Sequence, residues 1–368
     1  MSCFVSLRRN LEVLSLALCG ALSAGCSGPP SSDGETEPSA ERIISGGQIL
    51  TLDEQGSVPE ALAVSGGRIV AIGDLAEMRS LSGPTTRQED LGGRVLVPGF
   101  VDHHVHLLNL GMSLRWAEEN PDHVVDLDGV ASQEEIADRL AARAQRLPAG
   151  AWLIGKGWSQ ASWGSHRLPD HQALSGGVPD HPVFLTRVDG HAGWLNARAM
   201  QVAGIDRETP DPPGGVFRRA ADGQPSGVLL ERANERVTSL LPAVSEDDVA
   251  SAFRLAIDAL AAQGVVEVFD AGFLAVPGVV DLEADFERYL QVLADLDRER
   301  PLPLRVNLMI PAPSGMASRL LADDSVPRQV SPRVRITHLK LFVDGALGSR
   351  GALLTHAYAD DPETHGVR

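Results

Sequence analysis

An apolar run, Val95 to Val101, leads into Asp102-His103-His104-Val105-His106. Imidazole is a common protein ligand for transition metals, and a strand places alternate side chains on one face. Strict alternation puts Asp102, His104 and His106 together, with Val101, His103 and Val105 opposite. Two imidazoles two residues apart at a strand end can hold a divalent ion such as zinc. Burying both as ordinary core residues would strand their ring nitrogens. His103 is expected to be a bystander, and Asp102 a group that orients or charge-balances the ligands.

The chain has 368 residues, 43% of them hydrophobic, which suffices for a large core with appended elements. A formal charge of −17 and a pI near 5.0 argue against nucleic acid as a partner. Its three cysteines, Cys3, Cys19 and Cys26, all precede residue 27, so the folded body has neither disulfide nor thiolate metal site. Any metal must be held by histidine, carboxylate or a modified lysine. Arg8 and Arg9 precede an apolar run, Val13 to Leu22, which is too short to span a bilayer but suits a signal peptide. Ser23-Ala24-Gly25-Cys26 resembles a bacterial lipobox, so residues 1–26 read as a lipoprotein signal with Cys26 as the lipidated residue. A Ser/Pro/Gly/Glu-rich tether follows, residues 27–41. The expectation is an exported protein, lipid-anchored to a bacterial membrane on its periplasmic or extracellular face.

Residues 42–94 read as short strands between Gly-Gly turns: Ile43-Ile44, Gln48 to Leu52, Ala61 to Val64 and Arg68 to Ile72. They predict part of a β-sandwich with edge strands in need of partners.

A β-rich opening followed by Pro98-Gly99-Phe100-Val101-Asp102-x-His104-x-His106 resembles the amidohydrolase superfamily. Gly155-Lys156-Gly157-Trp158, Trp163, and Pro182 to His191 followed by Trp194-Leu195-Asn196 look like its family 3 branch, which includes N-substituted formamide deformylase. Gly214-Gly215-Val216, Gly223 to Leu229 and Lys340 to Arg350 continue the match.

The resemblance implies an α/β fold, the (β/α)8 TIM barrel, with metal ligands at the C-terminal strand ends. Carried onto residues 95–368, the first four barrel strands are Val95–His104, Val265–Phe269, Leu304–Ile310 and Ile336–Val343. Helices near Val249 to Gln263 and Asp281 to Leu296 lie between them, and residues 107–245 form a long insertion. Four strands make an incomplete barrel, so the chain is expected to be truncated. Two histidines and the aspartate that serves as general base in such enzymes are expected beyond its end. His356 and His365 lie in a polar stretch without strand periodicity and read as solvated.

Lys340 is the third ligand that the resemblance implies. His338, Lys340, Phe342 and Asp344 alternate with Leu339, Leu341 and Val343, so Lys340 faces away from the apolar set. A neutral lysine amine can add carbon dioxide, and such a carbamate bridges two metals in related sites. A salt-bridged structural lysine is the competing reading, and His338 reads as core. His191 is implied to line a substrate pocket. Trp158 and Trp163 either wall that pocket or pack in a core. Asp344 and Arg350 occupy the loop after the fourth strand, where barrel enzymes contact substrate.

These features predict a hydrolase of non-peptide C–N bonds, acting on a small amide or formamide-like molecule through water activated by one or two divalent ions. The 368 residues alone are expected to lack turnover. A non-catalytic binding lipoprotein on the same scaffold and an inactive fragment are the alternatives.

Overall fold

The computed structural model describes residues 39–119, 124–164, 167–241, 244–272, 282–323 and 327–367. The signal segment, Cys26 and most of the tether lie outside the described residues. The chain divides after Pro98 into two compact units.

The first unit is built on β1 (Ala40–Ser45), β2 (Gln48–Ile49), β3 (Ala61–Ser65), β4 (Arg68–Gly73), α1 (Leu75–Ser80), β5 (Ser82–Asp90) and β6 (Val95–Leu96). Its main sheet has the order β4-β3-β1-β5, and β2 pairs with β6 separately. One apolar set, including Ile43, Ala61, Ala63 and Met78, packs with α1. The other, Ile44, Ile49, Leu62 and Leu91, packs toward the β2–β6 pair with Leu96 against it. A helix thus covers one face where a second sheet was expected. β1 begins two residues inside the predicted tether, because Ala40 and Ile43 bury their side chains. Edge strand β4 leaves Ile69, Val70 and Ile72 exposed.

Val95–Leu96 therefore belongs to the first unit, not to the first barrel strand. Pro98 has no backbone N–H to give a ladder, and the next strand starts at Phe100. The second unit opens with β7 (Phe100–Val105) and α2 (Leu107–Glu119). Next come β8 (Val124–Asp126), α3 (Gln133–Ala144), β9 (Leu153–Trp158), α4 (Gln172–Gly177), β10 (Val183–Arg187), β11 (Ala192–Leu195), α5 (Ala197–Ala203), β12 (Gly215–Arg219), β13 (Pro225–Glu231) and α6 (Glu235–Thr238). These six strands form one mixed sheet, β12-β13-β11-β10-β9-β8. Its core is a triad of indoles, Trp158, Trp163 and Trp194, with centroids 5.8–5.9 Å apart. Each indole N–H donates to a carbonyl, of Leu185, Val130 and Asp170 respectively. Buried aromatics of this kind carry large apolar area with their polar edge satisfied. Asn196, fully buried, caps α5 by accepting from Ala199 and donates to the carbonyls of Val178 and His181.

The chain then returns through α7 (Glu246–Ala262), β14 (Val265–Asp270), α8 (Leu282–Glu299), β15 (Arg305–Ala312), α9 (Gly315–Ala322) and β16 (Val334–Leu341). The strands pair in parallel as β7-β14-β15-β16, each beside its successor in the fold. Ser245 and Asp248 form a capping box at the start of α7. Its apolar residues Val249, Ala252, Phe253, Ala256 and Ile257 follow helical spacing into one core. Leu107, Leu108 and Met112 of α2 share that core with Val268, Val306, Leu308, Ile310, Val334 and Ile336 from the sheet. Helix α2 is thus part of the layer over the parallel sheet, and the insertion begins after it rather than at residue 107. Strands β7 and β16 are the two edges of the sheet.

Candidate metal centre

His106 stands where β7 turns into α2, and its setting is built by the end of the neighbouring strand. Asp270, the last residue of β14, is fully buried; its Oδ1 accepts the N–H groups of Leu107 (3.3 Å) and Gly272 (3.1 Å). Ala271 donates to the Val105 carbonyl at 2.8 Å, which locks the two strand ends together. Gly272, at φ +85°, turns its own carbonyl toward His106 Nδ1 at 2.7 Å. A side chain at that φ would be strained, so glycine suits the turn. With Nδ1–H given to the carbonyl, Nε2 keeps its lone pair for a metal, the usual way an imidazole ligand is oriented. Burial holds the His106 pKa below its ordinary value despite the Gly272 carbonyl; His104, Lys340 and His191 as positive neighbours add to the effect. The neutral ring is the form that binds metal. Burial also pushes the Asp270 carboxyl up to about 7 against its two backbone hydrogen bonds.

The histidine run does not follow strict alternation. Asp102 is in register with Val268 and Val105 with Asp270, so β7 spends one residue more than β14 over this stretch. The Asp102 carboxylate accepts the His104 N–H at 3.0 Å, which stabilises the irregularity. His104 is consequently exposed, its ring 5.3 Å from that of His106 in an edge-on arrangement. Asp102 pairs with Val268, a residue of the helix-facing core, and so leaves the ligand face on which alternation had placed it. His103 separates from Val105: Val105 packs into the helix-facing core, and His103 stacks on Phe269 at 5.0 Å. Phe269 in turn meets His338 at 5.4 Å, so His338 is an exposed ring on that face rather than a core residue.

Lys340 is half-buried near the end of β16, with Nζ 5.0 Å from the Phe342 ring centroid. It makes no ion pair among the described residues, against the salt-bridged reading. His191 approaches the same phenyl ring at 6.5 Å. The fold therefore brings residues 104, 106, 191 and 340 to one region, from β7, the β10–β11 turn and β16. Among the described residues no three His, Cys, Asp or Glu side chains form a metal-binding group. The donor set in this region is two imidazoles, of His104 and His106, and the Lys340 amine, and an oriented His106 with a lowered pKa fits a divalent ion.

Two groups here escaped sequence reasoning. Asp270 is one; the other is Glu231, whose Oε2 lies 2.7 Å from His191 Nδ1 and whose Oε1 accepts the Ala346 N–H at 3.1 Å. Glu231 adopts φ 52°, ψ −128°, a strained conformation for a residue with a side chain. Its hydrogen bond raises the His191 pKa against the effect of burial. For Glu231 the sequence offers only a carboxylate two residues beyond the Gly223–Leu229 motif, with no sign of its partner His191. Asp270 gave only a charged residue closing an apolar strand.

The other expected contacts fall elsewhere. Trp158 has no exposed surface and its ring is spent in the indole triad, which rules it out as a pocket wall. Asp344 accepts the Leu353 N–H at 2.9 Å and organises its own loop. Arg350 is buried and pairs with Asp360. A cavity of about 380 Å³ does open beside His106, between one face of α2 and the ends of β8, β9 and β10. Asp189 and Gly190 line it; the His191 side chain stands outside the lining.

The amidohydrolase family model matches residues 87–368. This chain belongs to the amidohydrolase family. It is 33% identical over 327 residues to the Bacillus subtilis protein YtcJ, itself named as an amidohydrolase, covering 89% of this chain and 58% of that one. N-substituted formamide deformylase of Arthrobacter pascens is 32% identical over 209 residues, covering 56% of this chain and 36% of the enzyme. A solved structure, an uncharacterized metal-dependent hydrolase from Pyrococcus horikoshii, superposes with a TM-score of 0.57 at 27% identity, covering 88% of this chain and 59% of that one. The chain thus spans a little over half the length of these longer matches, and its family branch is the one the motifs indicated.

Proposed function

We propose that this amidohydrolase chain carries the first part of a divalent-metal centre for hydrolysing a small amide or formamide, with His104, His106 and Lys340 as its ligands. The observation that carries the reading is His106: half-buried, with its pKa held below the ordinary value, and fixed through Nδ1 on the Gly272 carbonyl so that Nε2 faces away from that bond. His104 and Lys340 are further donors in the same region. A bound divalent ion, zinc being the natural choice for such donors, would supply Lewis acidity and a water of lowered pKa. The residues of this chain would hold and orient the substrate beside it. Carbamylation would convert the Lys340 amine into an anionic oxygen ligand. The formamide preference rests on likeness to the Arthrobacter enzyme. Completion of the parallel sheet to a (β/α)8 barrel, and attachment to a membrane through Cys26, belong to the same reading and draw on the motif series and the lipobox.

Formanilide, a simple aryl formamide, tests this directly. Its binding, followed by ligand-observed NMR, should require added zinc, vanish with chelator, and vanish in His106→Ala. Binding indifferent to zinc and to His106 would contradict the hydrolase reading and favour a metal-free binding protein.

A further inference from the structure

The family motif around β9 contributes one residue that the metal centre does not use. Lys156 lies in register with Asp126 on β8 and with Thr186 on β10, and all three line the cavity beside His106. Gly157 follows at φ +95° as an extra residue in the strand, so Trp158 enters the indole core while Lys156 stays at the cavity. A Cβ at Gly157 would press on the Asp128 backbone at 3.0 Å.

The charges around Lys156 are unequally committed. Arg187, also in the lining, is satisfied by Asp189 (2.5 Å) and Gln160 (2.8 Å). Asp126 Oδ1 accepts the Asp128 N–H at 3.0 Å. Lys156 is half-buried, and its ammonium makes no hydrogen bond or ion pair among the described residues. Burial pulls its pKa down, while Asp126 and Asp128 act on it only through space. Three ammonium N–H donors in a partly desolvated cavity are a large unmet demand for an acceptor. Facing them, α2 presents Met112 and Trp116 on the same helical face that begins next to His106.

We infer that Lys156 is an anion subsite, and that this enzyme's substrate carries a carboxylate on the end remote from the scissile amide. The reacting carbonyl would lie at His106, the apolar body against Met112 and Trp116, and the carboxylate on the Lys156 ammonium. This inference rests on the proposed amide hydrolase, whose substrate class it narrows.

Three matched probes decide it: formanilide, 4-formamidobenzoate, and 4-(aminomethyl)formanilide. At low salt the benzoate should bind about 10–100-fold tighter than formanilide, the range of a charge-assisted hydrogen bond. Lys156→Gln should erase that preference and leave formanilide binding unchanged, while Lys156→Arg should keep it. Equal binding of benzoate and formanilide would overturn the subsite. So would preference for the aminomethyl probe that disappears in Asp126→Asn, which would give the subsite to the aspartates. Failure of the hydrolase reading is separate: it appears as zinc-independent binding of all three probes, whichever residue stands at 156.

Discussion

On the β7–β14 side of the centre, His106 is fixed by a chain of hydrogen bonds from a buried carboxylate through Gly272. On the β16 side, the Lys340 ammonium lies over a phenyl ring that is itself 54% exposed, followed by Val343 at 93%, and makes no hydrogen bond or ion pair among the described residues. The first side is organised before any ligand arrives; the second is not. Strand pairing does not account for the difference, since β7 and β16 are both edges with a single partner. What differs is the turn that follows the partner strand: after β14, Ala271 donates to the Val105 carbonyl and the Gly272 carbonyl accepts from His106. Among the described residues no such bond reaches the Lys340 ammonium. A ligand's geometry is inherited from the groups that hold its side chain.

The largest effect is expected away from both sides. Trp158→Ala should remove about 3–5 kcal/mol of stability through loss of the indole triad. Thermal or denaturant unfolding checks this, and a stable variant with weakened formanilide binding would restore Trp158 to the pocket. Next, Asp270→Ala should weaken zinc binding about 10–100-fold, the range for groups that orient a ligand. Asp270→Asn keeps the acceptor oxygen and should recover most of it. Lys340→Ala should weaken zinc less than Asp270→Ala does, because no hydrogen bond or ion pair among the described residues orients the Lys340 ammonium; calorimetric titration gives the ranking. Equal losses on the two sides would break the comparison.

The pH dependence sharpens it. Asp270 has its pKa raised to about 7, so between roughly pH 4 and 7 the folded state binds a proton that the unfolded state has lost. Stability should therefore fall as pH rises through that window, by a few kcal/mol at most. In melting curves, Asp270→Asn should remove that part of the slope across the same window, leaving only the contribution of other groups such as His106. His191 has the opposite charge type: its raised pKa gives stability present below its unfolded value and lost as pH climbs past the folded one. Glu231→Gln should shrink that loss. The smallest effect is Asp344→Asn, within about 0.5 kcal/mol and without influence on zinc, since an exposed loop cap is all it supplies.

The motif series singled out His104, His106 and Lys340, and the fold brings them to one region. The sequence also showed the three later parallel strands and the helices α7 and α8, where periodicity is strong. Alternation failed at His103-His104, since an added residue in β7 depends on the register with β14 and not on the local pattern. The Val95–Leu96 pair was misassigned for a related reason: its partner is Gln48–Ile49, far away in sequence. Trp158 looked functional because a motif tryptophan can serve a core or a pocket equally well. Asp270 and Glu231 were illegible because each acts through a neighbour's backbone or ring, a relation that exists only once the strands are paired.

We propose that residues 104, 106 and 340 hold a divalent ion. Zinc titrated into the chain, followed by desalting and elemental analysis, tests it most directly. About one equivalent should be retained, lost in His106→Ala and reduced in His104→Ala and Lys340→Ala. Zinc retention by His106→Ala equal to that of the unaltered chain, or none in either, would contradict it.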